Sequence, residues 1–357
     1  MKKKITVIGS GGTALAAAVT FTANGHEVTL TDTPEHQKVF DDIEGKGGIL
    51  LRGNGVRGQV RPSVISTDVH GSVKGSGIVI VSTQAVRHEE IAKLIAGDVN
   101  EDQVIVIVPG NAGSLIFDRV FKEENVSDRP VLLELQGNLF PNRITGPAEV
   151  NSGAPLRKKR ASAFPAKDTD LAIERLEGVL EIEKARNVFE TTVNTPNIIN
   201  HLVSTILNAA QIDKAGSKFG LFIDGLTPTV LKGLDVAYGE VESVLDKLGY
   251  FKMANPAEHL RKVADPDNHD FDVFRSLLGP DSLEHRYVTE DAPCAVSLLV
   301  SLADLVGVEV PFNKALLTIV SKLNGVDYYG VGRTIANFGL KGRTTEEIER
   351  YLNEGDV

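Results

Sequence analysis

The first part of the chain repeats one pattern: short runs of aliphatic and β-branched residues, separated by stretches whose apolar positions recur every three or four residues. The runs at 5–8, 27–31, 78–82, 104–108 and 131–135 predict strands buried on both faces. The stretches at 13–23, 34–44, 87–96 and 114–124 predict helices between them. Strands alternating with helices imply a parallel sheet with crossover connections, so the expected fold is α/β. Glycine-rich text at 45–58 predicts a loop or a small hairpin excursion.

From about Asn187 the texture changes to longer helical periodicities, punctuated by Pro228, Pro256, Pro280, Pro311 and Gly330. The expected division is a Rossmann-type parallel-sheet domain at 1–187 and a mainly α-helical domain at 188–357. Between them lies Leu156-Arg157-Lys158-Lys159-Arg160, read as a solvated edge strand whose charges discourage sheet-to-sheet pairing. One helix of the second half stands out. Asn197, His201, Thr205 and Asn208 form a polar stripe between Ile198, Ile199, Leu202, Val203, Ile206 and Leu207. Thr195 is the expected cap and Pro196 the first-turn residue, which puts Asn197 and His201 one turn apart on one face. A stripe flanked by apolar residues predicts a buried helix, and buried amides and imidazoles need internal partners or a ligand.

Composition narrows the function classes. A formal net charge of −10 argues against a general nucleic-acid or acidic-membrane partner. The single cysteine, Cys294, excludes an internal disulfide and a thiolate metal cluster and suits a reducing cytoplasm, and no metal-ligand set is picked out. No run approaches the roughly 20 apolar residues of a membrane span, so a soluble cytoplasmic protein is expected.

The strand at 5–8 leads into Gly9-Ser10-Gly11-Gly12-Thr13-Ala14 and an Ala-rich helix, which is G-x-G-x-x-A in its strand, turn and helix setting. Gly9 permits the tight turn, Gly11 lets a pyrophosphate approach the backbone, and Ala14 keeps helix and strand close. Asp32 ends the second strand at the spacing of a ribose-binding acid, which favours NAD; His36 and Lys38 nearby leave NADP open. Ser82-Thr83-Gln84-Ala85 and Pro109-Gly110-Asn111-Ala112-Gly113 follow two further strands, where ligands of open α/β sheets sit. Thr83, Pro109 and Gly110 are therefore expected beside the dinucleotide.

A histidine working as acid and base needs a partner that fixes its tautomer. Asp291 precedes an apolar helix expected from about Cys294 to Val306 and ended by Gly307. Capping that helix and orienting His201 are both open to it.

Taken together, the glycine motif, Pro109-Gly110-x-x-Gly113, Asn197-x-x-x-His201 followed by Leu-Asn-Ala, Gly225-Leu226-Thr227-Pro228 and Arg286-Tyr287-x-x-Glu290-Asp291 resemble the octopine/nopaline (opine) dehydrogenase family almost end to end. The resemblance implies a dinucleotide-binding domain joined to a helical substrate domain of the 6-phosphogluconate dehydrogenase C-terminal type. It implies a His201–Asp291 acid-base pair, Arg286 as the binder of the keto-acid carboxylate, and Asn197 in the active site. The implied reaction condenses an α-keto acid, such as pyruvate, with the amine of an amino acid and reduces the imine with NAD(P)H. Two features depart from relatives: Leu202 stands where some have proline after the histidine, and Glu134-Leu135-Gln136-Gly137-Asn138 has no counterpart. Rival readings are a ketopantoate reductase or glycerol-3-phosphate dehydrogenase type of reductase, which relies on lysine where this helix carries histidine, and a non-catalytic NAD(H) sensor. A homodimer is compatible with the sequence, which does not fix the oligomeric state.

Overall fold

The computed structural model describes residues 2–53 and 55–355. Up to Thr191 the strands are β1 (Lys4–Ile8), β2 (Glu27–Thr31), β3 (Ile49–Gly53), β4 (Gly58–Val60), β5 (Val64–Ser66), β6 (Ile78–Val81), β7 (Val104–Ile107), β8 (Val131–Leu135), β9 (Asn142–Gly146), β10 (Glu149–Ser152), β11 (Lys159–Phe164) and β12 (Ile182–Lys184). All five predicted strands form. The helices here are α1 (Gly12–Ala23), α2 (Gln37–Lys46), α3 (Val69–Lys74), α4 (His88–Ile95), α5 (Gly113–Glu123), α6 (Thr169–Arg175) and α7 (Val188–Val193), the last leading out of this unit.

Eight strands make the main sheet in the order β12-β11-β8-β7-β6-β1-β2-β5. From β8 to β5 every neighbouring pair is parallel, whereas β11 runs antiparallel to β8. A second sheet, β4-β3-β10-β9, contains the hairpin made by the glycine-rich segment. It lies against α1, whose other side packs on β1 and β2. That placement explains why Ala14 to Phe21 are buried without a break: a helix covered by sheets on two sides needs no polar face.

The charged segment at 156–160 is not an edge. Its β11 portion lies between β8 and β12, and β12 escaped notice because a three-residue strand, Ile-Glu-Lys, carries no apolar periodicity. Lys159 and Arg160 are paired rather than solvated, whereas Arg157 and Lys158 are exposed. Arg160 donates to Glu190 through Nε (2.8 Å) and to Glu183 through Nη1 (2.5 Å). Lys159 donates from Nζ to the Asn138 carbonyl at 2.8 Å, and burial, aided by the Arg157 charge, pushes its ammonium down to about 8.

The chain forms two compact units, one made of the chain up to Thr191 with the segment from Arg350 on, the other of Thr192–Glu349. The last turns of the C-terminal helix therefore pack with the first unit, where the sequence reading left them with the second. Tyr351 stacks obliquely on Phe164 at 5.2 Å between ring centres, and Lys167 donates to the Glu354 carbonyl at 2.7 Å.

The second unit is helical: α8 (Asn197–Leu207), α9 (Ala209–Ala215), α10 (Pro228–Leu248), α11 (Pro256–Ala264), α12 (Asp272–Arg275), α13 (Arg286–Thr289), α14 (Ser297–Val306), α15 (Pro311–Asn324) and the start of α16 (Thr345–Glu354). Thr227 caps α10, Pro228 opens it, and left-handed Gly249 closes it. Gly233 of α10 lets α8 come close, because a methyl there would meet Leu207 at 2.8 Å. Among the described residues no helix is long and apolar enough to cross a membrane.

Candidate active site

In the first unit, the loops after β2, β1 and β6 meet at the carboxyl ends of three adjacent strands. Gly9 has φ +134°, and a Cβ on it would sit 2.3 Å from the Ser82 carbonyl oxygen, so the turn admits only glycine. At Gly11 a Cβ would meet nothing within 4 Å, and the helix start there has neither a capping side chain nor an acidic residue in its first turn. The amides at the start of α1 are thus left for a ligand anion. Gly12 is crowded by Asn142, which bridges Thr13 Oγ1 (2.8 Å) and the Phe140 carbonyl (2.9 Å). Ala14 is fully buried and lies within 3.3 Å of where a Gly9 side chain would start. Thr83 Oγ1 is buried with no partner among the described residues. An uncapped helix start, open space over Gly11 and an orphan hydroxyl fit a dinucleotide.

Asp32 is 1% exposed and already surrounded by donors. Ser10 Oγ donates to Oδ2 at 2.9 Å and the Thr33 amide to Oδ1 at 2.8 Å. His36 Nδ1 lies 3.4 Å and Arg87 Nη1 3.6 Å from Oδ1. Lys38, expected beside this carboxylate, faces Asp42 instead and is almost wholly exposed. Arg87 was missed because it comes from the far side of β1, 55 positions along the chain.

After β7 the chain turns through Pro109 and Gly110, and Asn111 and Ala112 take left-handed φ of 51° and 56°. Glu134 holds that turn. Its fully buried carboxylate accepts from the Ala112 amide (3.0 Å), the Ser114 amide (2.6 Å) and Ser114 Oγ (2.6 Å). A Cβ on Gly110 would strike the Glu134 side chain. One glutamate inside the apolar run Val131–Leu135 is the signal that could have marked it.

In the second unit the polar stripe divides. Asn208 is a structural residue: its amide donates to the carbonyls of Ser204 (2.8 Å) and Gly225 (3.1 Å), tying the end of α8 to the Gly225–Pro228 turn. Thr195 is not the cap. Pro196 occupies that position, and the Thr195 hydroxyl is buried with no partner among the described residues. Nor is the helix buried throughout, since Leu207 is 41% exposed. His201 meets Asp291, with Nδ1 and Oδ2 2.7 Å apart. A carboxylate can only accept, so Nδ1 carries the hydrogen and the neutral ring keeps Nε2 as its basic nitrogen.

Local sequence explains how Asp291 reaches the histidine. Pro293 has no amide to offer the Thr289 carbonyl, and the chain widens into a π-turn at Ala292–Val296 before α14 resumes. Asp291 stands at the head of that turn and makes no capping hydrogen bond there. Tyr287, one turn earlier on the same face, stacks on the His201 ring at 3.6 Å and 8°, fixing its plane. The adjacent face carries Arg286, half-buried, with Nη1 3.6 Å from Glu290. Asn197 begins α8 one turn before His201 and is half-buried. Cys294 is buried, and burial pushes its thiol up to about 11.

Residues 184–324 match the family described as NAD/NADP octopine/nopaline dehydrogenase, alpha-helical domain. The opine dehydrogenase of Arthrobacter sp. (strain 1C) is 28% identical over 356 residues, covering 96% of each chain. Two solved structures share the fold: octopine dehydrogenase with NADH and agmatine (TM-score 0.72, 17% identity), and octopine dehydrogenase with NADH and pyruvate (TM-score 0.70, 18% identity). Each comparison covers 100% of this chain and 99% of the other. The helical part of the chain, residues 184–324, is thus similar to the octopine/nopaline dehydrogenase family, and the whole chain is similar to an opine dehydrogenase.

Proposed function

We propose that the protein is an NAD(P)-dependent opine dehydrogenase: an α-keto acid, pyruvate in the first instance, and the amine of an amino acid condense with loss of water, and the imine is reduced to an N-(carboxyalkyl) amino acid. The observation that carries this reading is the 2.7 Å His201–Asp291 pair, set in the helical domain that the family match covers. The chemistry that a bound reduced nicotinamide dinucleotide would supply is the hydride. Gly9, Ser10, Gly11, Gly12, Thr13 and Ala14 would hold its pyrophosphate through backbone amides at the α1 start, Asp32 would meet the adenosine ribose, and Thr83, Pro109 and Gly110 would border the remainder.

The chain's own side chains handle protons and position. His201 Nε2 takes a proton as the amine attacks and returns one as hydroxide departs as water, worth roughly 10²- to 10⁴-fold in rate. Asp291 fixes the tautomer and stabilises the imidazolium, and Tyr287 keeps the ring in plane. Arg286 holds the keto-acid carboxylate by two parallel hydrogen bonds, and Asn197 contributes a polar contact on the His201 face. Lysine-based reduction is disfavoured because α8 carries no lysine.

The test is NADH oxidation with pyruvate alone and then with single amino acids, for wild type and His201→Ala. Little turnover without amine, a secondary-amine product by mass, and a loss of about 10²-fold or more in the variant with NADH affinity kept are expected. Rapid oxidation by pyruvate alone, giving a hydroxy acid, would overturn the reading.

A further inference from the structure

In the crevice above β2, β1 and β6, three neighbouring strands deliver one group each to the same corner: Asp32, Ser10 and Arg87. Asp32 is the acid expected to distinguish a ribose hydroxyl from a 2′-phosphate, yet its charge is already answered from inside. Oδ1 receives the Thr33 amide and faces both His36 and Arg87, and Oδ2 receives Ser10. A ribose therefore meets a carboxylate that already accepts two hydrogen bonds and, directly beside it, a guanidinium.

Arg87 is suited to an anion. Its Nε and Nη2 make a two-bond grip on Glu90 (3.1 and 2.7 Å), while Nη1 reaches toward Asp32, and a fifth of the side chain remains exposed. The Glu90 hydrogen bond, with the Asp32 and Glu90 charges, keeps its pKa above the ordinary arginine value despite burial. Glu90 is itself about half exposed, in the first turn of α4, so a phosphate arriving at the corner competes with a solvated partner and not a buried one.

We propose that Arg87, strung between Asp32 and Glu90, sets the enzyme's choice between NAD(H) and NADP(H): it is the cation that accepts a 2′-phosphate, and Glu90 is the internal competitor for it. This rests on the dinucleotide reading given above. The guanidinium fork matches phosphate geometry, and neutralising Glu90 frees two of its donors.

The experiment measures NADH and NADPH affinities by nicotinamide fluorescence on the intact enzyme without other substrates. Arg87→Ala is expected to lower NADPH affinity by about tenfold relative to NADH, and Arg87→Lys by less, since a charge without the fork remains. Glu90→Gln is expected to move the ratio the other way, by about threefold or more. An Arg87→Ala ratio within twofold of wild type, or a Glu90→Gln shift toward NADH, would overturn the proposal. Failure of wild type to bind either dinucleotide would instead overturn the cofactor reading, so the two outcomes remain distinct.

Discussion

Two helices of the first unit begin at the carboxyl end of a parallel strand, and they are finished in opposite ways. The start of α1, after β1, has no capping side chain, no acid in its first turn and open space over Gly11. The start of α5, after β7, is closed by Glu134 from the neighbouring strand, with three hydrogen bonds to its amides and to Ser114. Both ends carry the same partial positive charge. Of these two starts one is open to a ligand's anion and the other is supplied with an internal one, which shapes a loop instead.

The largest effect should come from removing the internal anion. Glu134→Ala leaves buried donors at Ala112 and Ser114 without an acceptor and is expected to cost about 3 kcal/mol or more in urea unfolding. ADP affinity, which the proposed site assigns to α1, should stay within about threefold by calorimetry. Loss of ADP binding at unchanged stability would erase the distinction between the two helix starts.

Lys159 gives the contrast with opposite sign. Glu134 is buried among donors that meet its charge, whereas Lys159 has one carbonyl. Its folded pKa of about 8 lies below the ordinary lysine value of 10.5, so the folded state holds the proton less firmly than the unfolded. Below pH 8 the lysine is charged in both states and the burial cost is paid in full. Between 8 and 10.5 the folded lysine sheds its proton while the unfolded one keeps it, and wild-type stability rises relative to Lys159→Met. The variant should therefore be more stable by about 2 kcal/mol at pH 7, net of the lost hydrogen bond, with the advantage shrinking toward pH 10. A difference flat across that range would remove the charge from the explanation.

Gly11→Ala is the smallest change in stability and the sharpest in binding. Its φ of −78° suits any residue and its Cβ would touch nothing, so stability should hold or rise by about 0.5 kcal/mol. The methyl would stand where the pyrophosphate approaches, and ADP affinity should fall about tenfold or more. Unchanged ADP binding would move the anion site away from α1.

The same contrast explains what could be read from sequence. The α1 start is built from consecutive residues, Gly9 to Ala14, so the tight turn at Gly9 and the open backbone at Gly11 follow from a local spacing. The five buried strands are equally legible, since strands covered on both faces are continuous apolar runs. β5, β9, β10 and β12 are short and partly exposed and leave no such trace. His201 was visible as polarity on an apolar helix, but Asp291 lies 90 positions away and looked equally suited to capping. Which of the two it meets depends on the π-turn at Pro293, a tertiary outcome. Glu134 and Arg87 act across strands adjacent in space and distant in the chain, and no spacing rule connects them to Ala112 or Asp32.

The return of the C-terminal helix to the first unit sets an order on synthesis. A ribosome releases Phe164 and the whole main sheet before Thr192–Glu349 is complete, yet the aromatic cover for Phe164 is Tyr351, on the far side of that stretch. Until then the nascent sheet domain carries an unsealed apolar spot, the kind of surface on which chaperones act and aggregation starts. The first domain to be translated is thus the last to be finished, and its completion waits on the helical domain that interrupts it.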